Sequence, residues 1–281
     1  MRDVRLLALD VDGTLAVRGN EITEATREAL LRLREAGIEV ALATGRRYRT
    51  ACRAIDSLGF DVACVCLGGA LVKDVDGTTL EAFTFEPEPF RELVGFLQER
   101  GHGVVAQRDA HAAGGSDFLI DGAKPWRPEV RAYYTNNARF AEWSSDLAAE
   151  AREDALVIGT FGPAESMRQL AQELDSAFPD LLRVTPMPGY LNEGHYCEIL
   201  PRSTCKWEGL LALGRAREIA GAAICAAGDQ LNDLTMLRGA GVGIAMGNAL
   251  PEVKEAADWV TGRHDEDGLV DLAERILSAQ A

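Results

Sequence analysis

Two carboxylates and a turn glycine follow the first apolar run of the chain, where Asp10-Val11-Asp12-Gly13-Thr14 closes VRLLAL. In an open α/β sheet, ligands bind beyond the carboxyl ends of the strands, so acids placed there are positioned for chemistry. The motif alone means little. A second copy, Asp74-Val75-Asp76-Gly77-Thr78, lies between ALVK and TTLEAF and reads as a hairpin turn. The first copy is not a calcium loop either, because Gly13 stands at its fourth position and an EF-hand needs glycine at the sixth.

Two further segments share that placement, and a lysine that opens a helix joins them as a fourth element. Ala43-Thr44-Gly45-Arg46 closes a second apolar run, and a hydroxyl with a glycine N–H at the start of a helix makes a small anion cradle. Gly228-Asp229-Gln230-Leu231-Asn232-Asp233 follows the apolar GAAICAA, and Lys206 opens the helical stretch before it. T-G-R recurs at Thr261-Gly262-Arg263, and a lone lysine is ordinarily solvated surface, so weight rests on the four elements jointly. Asp10, Asp12, Asp229 and Asp233 would put four carboxylates around one crevice. Like charges at ~4 Å cost several kcal/mol in a partly buried setting, so the cluster is tenable only with cations present. Mg²⁺ suits such a set, being a hard ion that takes carboxylate, carbonyl and water oxygens and leaves room for a phosphate. The four histidines, 102, 111, 195 and 264, show no H-E-x-x-H spacing that would bring zinc into competition.

The elements that must hold these residues alternate. VRLLAL, IEVALAT and DVACVCLGG read as buried strands, separated by helices over Thr23 to Ala36 and RRYRTACRAIDSLG. The last quarter repeats the rhythm, with helical KWEGLLALGRAREI, strand GAAICAAGD, helical NDLTMLRGAG, strand VGIAM, helical PEVKEAAD and strand WVTG. Alternation of this kind predicts a doubly wound, parallel α/β sheet. Between about Phe83 and Tyr190 the rhythm breaks at GHG, GG, PW and PMPGY turns, and ALVIGTF reads as a strand. This stretch is expected to form an inserted α+β domain over 84–190. Residues 1–83 and 191–281 would then make one discontinuous core.

The 281 residues suggest about two domains, each able to bury a core. Basic residues number 29 and acidic residues 44, a net charge of −15, which repels phosphodiester backbones and anionic lipid and sets aside nucleic-acid and membrane-surface partners. LLALDVDG meets acids after four apolar residues, too soon for a secretory segment. Cys52, Cys64, Cys66, Cys197, Cys205 and Cys225 form no C-x-x-C pair and read as buried small hydrophobes in a reducing, cytoplasmic compartment.

Taken together, ALDVDGTL, ALATGRR, EILPRSTCKWEGL, GDQLNDLTML, AMGNALPEVKEAADWVT and EDGLV resemble the haloacid dehalogenase superfamily. Within it, the match is to the Cof-like phosphatases. The resemblance implies a doubly wound, mostly parallel, Rossmann-like core with a large α+β cap inserted between the second and third motifs. The 160 residues from Arg46 to Lys206 fit such a cap. It implies that Asp10 attacks phosphorus to form an aspartyl-phosphate, and that Asp12 protonates the leaving oxygen and then activates water. Mg²⁺ would be held by Asp10, the main-chain carbonyl of Asp12 and Asp229, with Asn232 or Asp233 acting directly or through water. Thr44, Gly45 and Lys206 would bind phosphoryl oxygens, with Arg46 and Asn232 beside the substrate.

The implied substrate is a small phosphomonoester, sugar phosphate or phosphorylated cofactor, admitted beneath a cap that excludes bulky molecules. The protein would be a monomer or homodimer. A phosphomutase and a non-catalytic metabolite-binding relative are the alternatives. One departure stands out: Cof-like chains carry Asn-Gly-Ala after the third core strand, and this chain has Gly68-Gly69-Ala70. Arg47, Asn192, His195 and Asn248 also flank motif segments, where exposed polar residues are the ordinary case.

Overall fold

The computed structural model describes residues 3–122, 135, 137–150, 152–188 and 194–280. They divide into two compact units, one built from residues 1–82 and 205–281 and the other from residues 83–204.

With strands numbered along the chain, the first unit holds β1 (Leu6–Leu9), β2 (Glu39–Ala43), β3 (Ala63–Cys66), β4 (Leu71–Lys73), β5 (Thr79–Ala82), β12 (Ile224–Gly228), β13 (Val242–Ala245) and β14 (Trp259–Val260). They form one sheet in the order β14-β13-β12-β1-β2-β3-β4-β5. Every pair from β14 to β3 is parallel, and β4 and β5 extend the sheet antiparallel. The β1 to β3 run is fully buried apart from Glu39, as strands covered on both faces must be. Chain order reverses direction on the two sides of β1, with β2 beside one edge and β12 beside the other. This is a topological switch point, and its carboxyl ends are where the sheet can accept a ligand. The Asp74–Thr78 segment is the β4–β5 hairpin turn expected from the sequence, closed by Asp74 and Thr78.

The helices of this unit are α1 (Glu24–Glu35), α2 (Tyr48–Leu58), α5 (Lys206–Ala216), α6 (Leu234–Gly239), α7 (Pro251–Ala256) and α8 (Gly268–Gln280). The Thr23 hydroxyl caps α1 by accepting from Thr26 N at 3.1 Å. The alternation read from the sequence stops at WVTG. The structure adds α8, which buries Leu269, Leu272, Ala273 and Ile276 at helical spacing.

The second unit is a six-stranded sheet in the order β10-β11-β9-β6-β7-β8, made of β6 (Val105–Gln107), β7 (Phe118–Asp121), β8 (Ala141–Ser144), β9 (Val157–Gly162), β10 (Leu182–Pro188) and β11 (His195–Pro201). All pairs are antiparallel except β7 with β8. Helices α3 (Pro87–Glu99) and α4 (Ala164–Ala177) bury Phe90, Leu93, Leu97, Met167, Leu170 and Leu174 in one core with Ala106 and Ile158. Val105 points the other way and joins Phe118, Ile120 and Phe161, as strand alternation requires.

Two expectations change here. The chain was expected to rejoin the core at residue 191, yet β11 pairs with both β10 and β9, so it belongs to the second unit. Pro186 and Pro188, read as a turn, lie within β10. That strand is at the sheet edge, the place where a residue without an N–H is tolerated. Among the described residues, no helix is long and apolar enough to cross a membrane.

Candidate active site

Register places the site. Leu9 of β1 pairs with Ala227 of β12 and lies beside Leu42 of β2, so Asp10, Asp229 and Thr44 leave adjacent strands at the same edge. Asp10 N donates to Ala227 O at 3.0 Å, which ties the first acid to the third segment. One carboxylate oxygen from each of Asp10, Asp229 and Asp233 lies within 4.8 Å of the other two, the one such acidic or thiol group found among the described residues. All three side chains are buried.

Lys206 neutralises part of this charge. As the first residue of α5 it is 1% exposed, and its Nζ donates at 2.6 Å to both Asp10 Oδ1 and Asp233 Oδ1. Its position depends on close backbone packing. Gly69 has φ +115°, and a Cβ there would stand 2.0 Å from the Cys205 carbonyl oxygen. The 3₁₀ turn of residues 67–69 therefore lies directly against the start of α5. The Gly68 that replaces the expected asparagine has φ 63°, a left-handed conformation glycine adopts without strain.

Asp229 is held from two sides. Its Oδ1 accepts from Thr14 Oγ1 at 3.2 Å, and its Oδ2 accepts from Gln230 Nε2 at 3.0 Å. Gly13, at φ +86°, brings the first loop so close that a Cβ there would stand 2.5 Å from Asp229 Oδ2. Asn248 Nδ2 donates to Gly13 O at 2.8 Å and its Oδ1 accepts from His264 N, so a residue named only as a flank braces the loop. Thr14 and Gln230 lie inside the quoted motifs; the Gln230 bond is to its sequence neighbour, whereas the Thr14 bond crosses 215 positions, depends on strand adjacency and is invisible to spacing.

Asp233 is committed on both oxygens. Oδ1 takes Lys206, while Oδ2 accepts the backbone N–H groups of Asp229 and Gln230 at 2.9 Å each. Asn232 lies beside Gly45, its Nδ2 3.9 Å from where a Gly45 Cβ would be. Buried Thr44 accepts Arg46 N on its hydroxyl at 3.1 Å.

Asp12 departs from the expected four-acid cluster. Its carboxylate is exposed and paired with Arg46, with Nε to Oδ2 at 2.8 Å and a terminal nitrogen to Oδ1 at 2.5 Å. The loop turns sharply at this point, Leu15 N bonding to the Asp10 and Val11 carbonyls, and the clustered acids are Asp10, Asp229 and Asp233 without Asp12. Arg46, expected beside the substrate, spends its guanidinium on Asp12. His195 sits on β11 of the second unit, and Asn192 lies outside the described residues.

Electrostatics follow from burial. Burial pushes the Asp10 carboxyl up to about 7, against the pull of the Lys206 charge. Burial also raises Asp229, with Asp233 adding to the effect. Burial alone would lower Lys206, but the Asp10 and Asp233 carboxylates hold it above the ordinary lysine value. Three buried acids against one ammonium leave an excess of negative charge on hard oxygen donors. Such a set fits a divalent cation.

A family model for haloacid dehalogenase-like hydrolases matches residues 7–272. The chain belongs to that family. This haloacid dehalogenase-like hydrolase is 28% identical to the Bacillus subtilis stress response protein YhaX, over 98% of this chain and 94% of that one. It is also 28% identical to the Escherichia coli pyridoxal phosphate phosphatase YbhA, over 94% of this chain and 96% of that one. A crystal structure of a haloacid dehalogenase-like hydrolase from Bacteroides thetaiotaomicron superposes with a TM-score of 0.76 at 25% identity, covering 97% and 99% of the two chains.

Proposed function

We propose that this hydrolase is a Mg²⁺-dependent phosphatase of a small phosphorylated metabolite, working through an aspartyl-phosphate on Asp10. The observation that carries the reading is the buried Lys206 ammonium bridging Asp10 and Asp233 beside Asp229, at the carboxyl edge of β1 and β12. Asp10, the Asp12 carbonyl and Asp229 would hold the cation, which when bound supplies positive charge to phosphoryl oxygens. Asp233 acts by fixing Lys206 and the Asp229 loop.

Asp10 attacks phosphorus, and the bond to the leaving oxygen breaks as that oxygen takes the Asp12 proton. Asp12 then takes a proton from water, whose oxygen displaces Asp10 from phosphorus. A carboxylate nucleophile thus splits one hydrolysis into two in-line steps. Lys206, Thr44 and the Gly45 amide bind the equatorial oxygens, where fixed positive charge and donors lower the barrier. Asn232 contacts the same group.

A small substrate is supported by the Escherichia coli relative, named for a phosphorylated cofactor. The acidic net charge argues against nucleic-acid substrates. Six unpaired cysteines, five of them buried, support a reducing, cytoplasmic setting.

The test is phosphate release from a broad panel of metabolite phosphomonoesters, with Mg²⁺ and with EDTA. Hydrolysis that needs the metal supports the reading. Release of no phosphate across the panel, or an isomerised product in its place, overturns it.

A further inference from the structure

Arg46 is anchored at both ends. Its backbone N donates to Thr44 Oγ1 at 3.1 Å, and its carbonyl accepts Leu67 N at 3.0 Å, which fixes the main chain between the ends of β2 and β3. Its guanidinium then grips the loop after β1 at three places: the Asp12 carboxylate through two parallel bonds, the Gly19 carbonyl at 2.9 Å and the Asn20 side-chain oxygen. The arginine side chain is 10% exposed and the Asp12 side chain 53%. The arginine side chain is therefore mostly covered, while the carboxylate it holds faces solvent.

A planar guanidinium that meets a carboxylate with two bonds sets both the direction and the plane of that carboxylate. An exposed aspartate on a turn would otherwise sample several rotamers. Proton delivery needs the donor within hydrogen-bond reach of the leaving oxygen, so rotamer freedom at residue 12 costs rate. The residue-46 head is occupied within its own unit, which argues against a direct role in holding substrate.

We propose that Arg46 is a positioning residue, which orients the Asp12 carboxyl for proton transfer to the leaving oxygen and does not itself touch substrate. The inference rests on the phosphatase reading. Asn20 and the Gly19 carbonyl serve as the far anchor that keeps the guanidinium in plane with Asp12.

A leaving-group series separates this role from binding or structural support. Aryl phosphates from 4-nitrophenyl to 4-methoxyphenyl differ in how much their leaving oxygen needs a proton, while their phosphoryl groups are the same. With Arg46→Gln, kcat on the 4-methoxyphenyl ester should fall by ~10²-fold, the scale of a general-acid contribution, and on the 4-nitrophenyl ester by less than about threefold. Arg46→Lys should restore only part of the loss, because an ammonium supplies charge without the fork. Asn20→Ala, which leaves the Asp12 pair itself in place, should steepen the leaving-group dependence in the same direction by a smaller factor.

Equal losses across the series, or a change confined to KM, would overturn the inference while leaving the phosphatase reading standing. A wild-type protein that hydrolyses none of these esters and no panel metabolite sinks both.

Discussion

Lys206 Nζ stands 2.6 Å from Asp10 Oδ1, though 196 residues separate the two in the chain. Both side chains are buried, and the same ammonium meets Asp233 at the same distance. The contact joins the two halves of the discontinuous first unit and balances charge where three acids converge. Removing Lys206 leaves buried acids without a cation, whereas removing Asp10 leaves the ammonium still paired with Asp233.

Replacing Lys206 with Met should therefore lower stability by ~3–5 kcal/mol, the cost of breaking a buried pair from one side. Urea unfolding measures it. Turnover should drop by ~10²–10³-fold if Lys206 is the proposed fixed donor to the phosphoryl oxygens. Added Mg²⁺ should recover part of the stability and little of the rate. An unchanged unfolding midpoint would show that the pair contributes nothing net.

Asp10→Asn keeps the shape of the side chain and removes the proposed nucleophile. Turnover should fall by at least ~10³-fold, as for loss of other catalytic nucleophiles. A variant within tenfold of wild type would mean that another group attacks phosphorus.

Gly13→Ala would put a methyl 2.5 Å from Asp229 Oδ2 on a backbone at φ +86°. Strain of that kind costs ~1–3 kcal/mol. The displaced carboxylate should also weaken Mg²⁺ binding by ~10-fold or more, as lost outer-shell support does at other metal sites. Isothermal titration with Mg²⁺ reads this directly, and wild-type affinity in the variant would count against Asp229 as a ligand.

Metal and pH should be linked. Burial raises Asp10 to about 7 and raises Asp229 above the ordinary carboxylate range. Between about pH 4 and 7 the metal-free folded protein then binds more protons than the unfolded chain, so these two groups make stability fall as pH rises through that window. The proposed divalent cation would take the place of those protons. The gain in melting temperature on saturating with Mg²⁺ should be larger at pH 8 than at pH 5, measured by scanning calorimetry. Equal gains at both values would show that the acids do not titrate against the metal.

Much of the site was legible because its determinants are local. Apolar runs of four to seven residues ending in Asp10, Thr44 and Asp229 place those side chains at strand ends whatever the rest of the chain does. Thr23 before an amphipathic stretch gives the start of α1 in the same way. Joint occurrence of six segments, among them four elements weak alone, carried the family resemblance, and the family match spans both halves of the first unit.

The sequence by itself determined the α/β alternation, the acids and lysine available for chemistry, and the large insertion that parts them. Only the tertiary structure decided how those groups share their partners. The Asp12 carboxylate pairs with Arg46, 34 positions on. Asp233 spends its oxygens on Lys206 and two backbone amides. β11 joins its sheet through strands on either side of it, a choice residue order cannot express. The physical reason is common to all three. A side chain's direction and a strand's neighbours are set by contacts that close long loops, and the free energy of those contacts exists only once the distant partner has arrived.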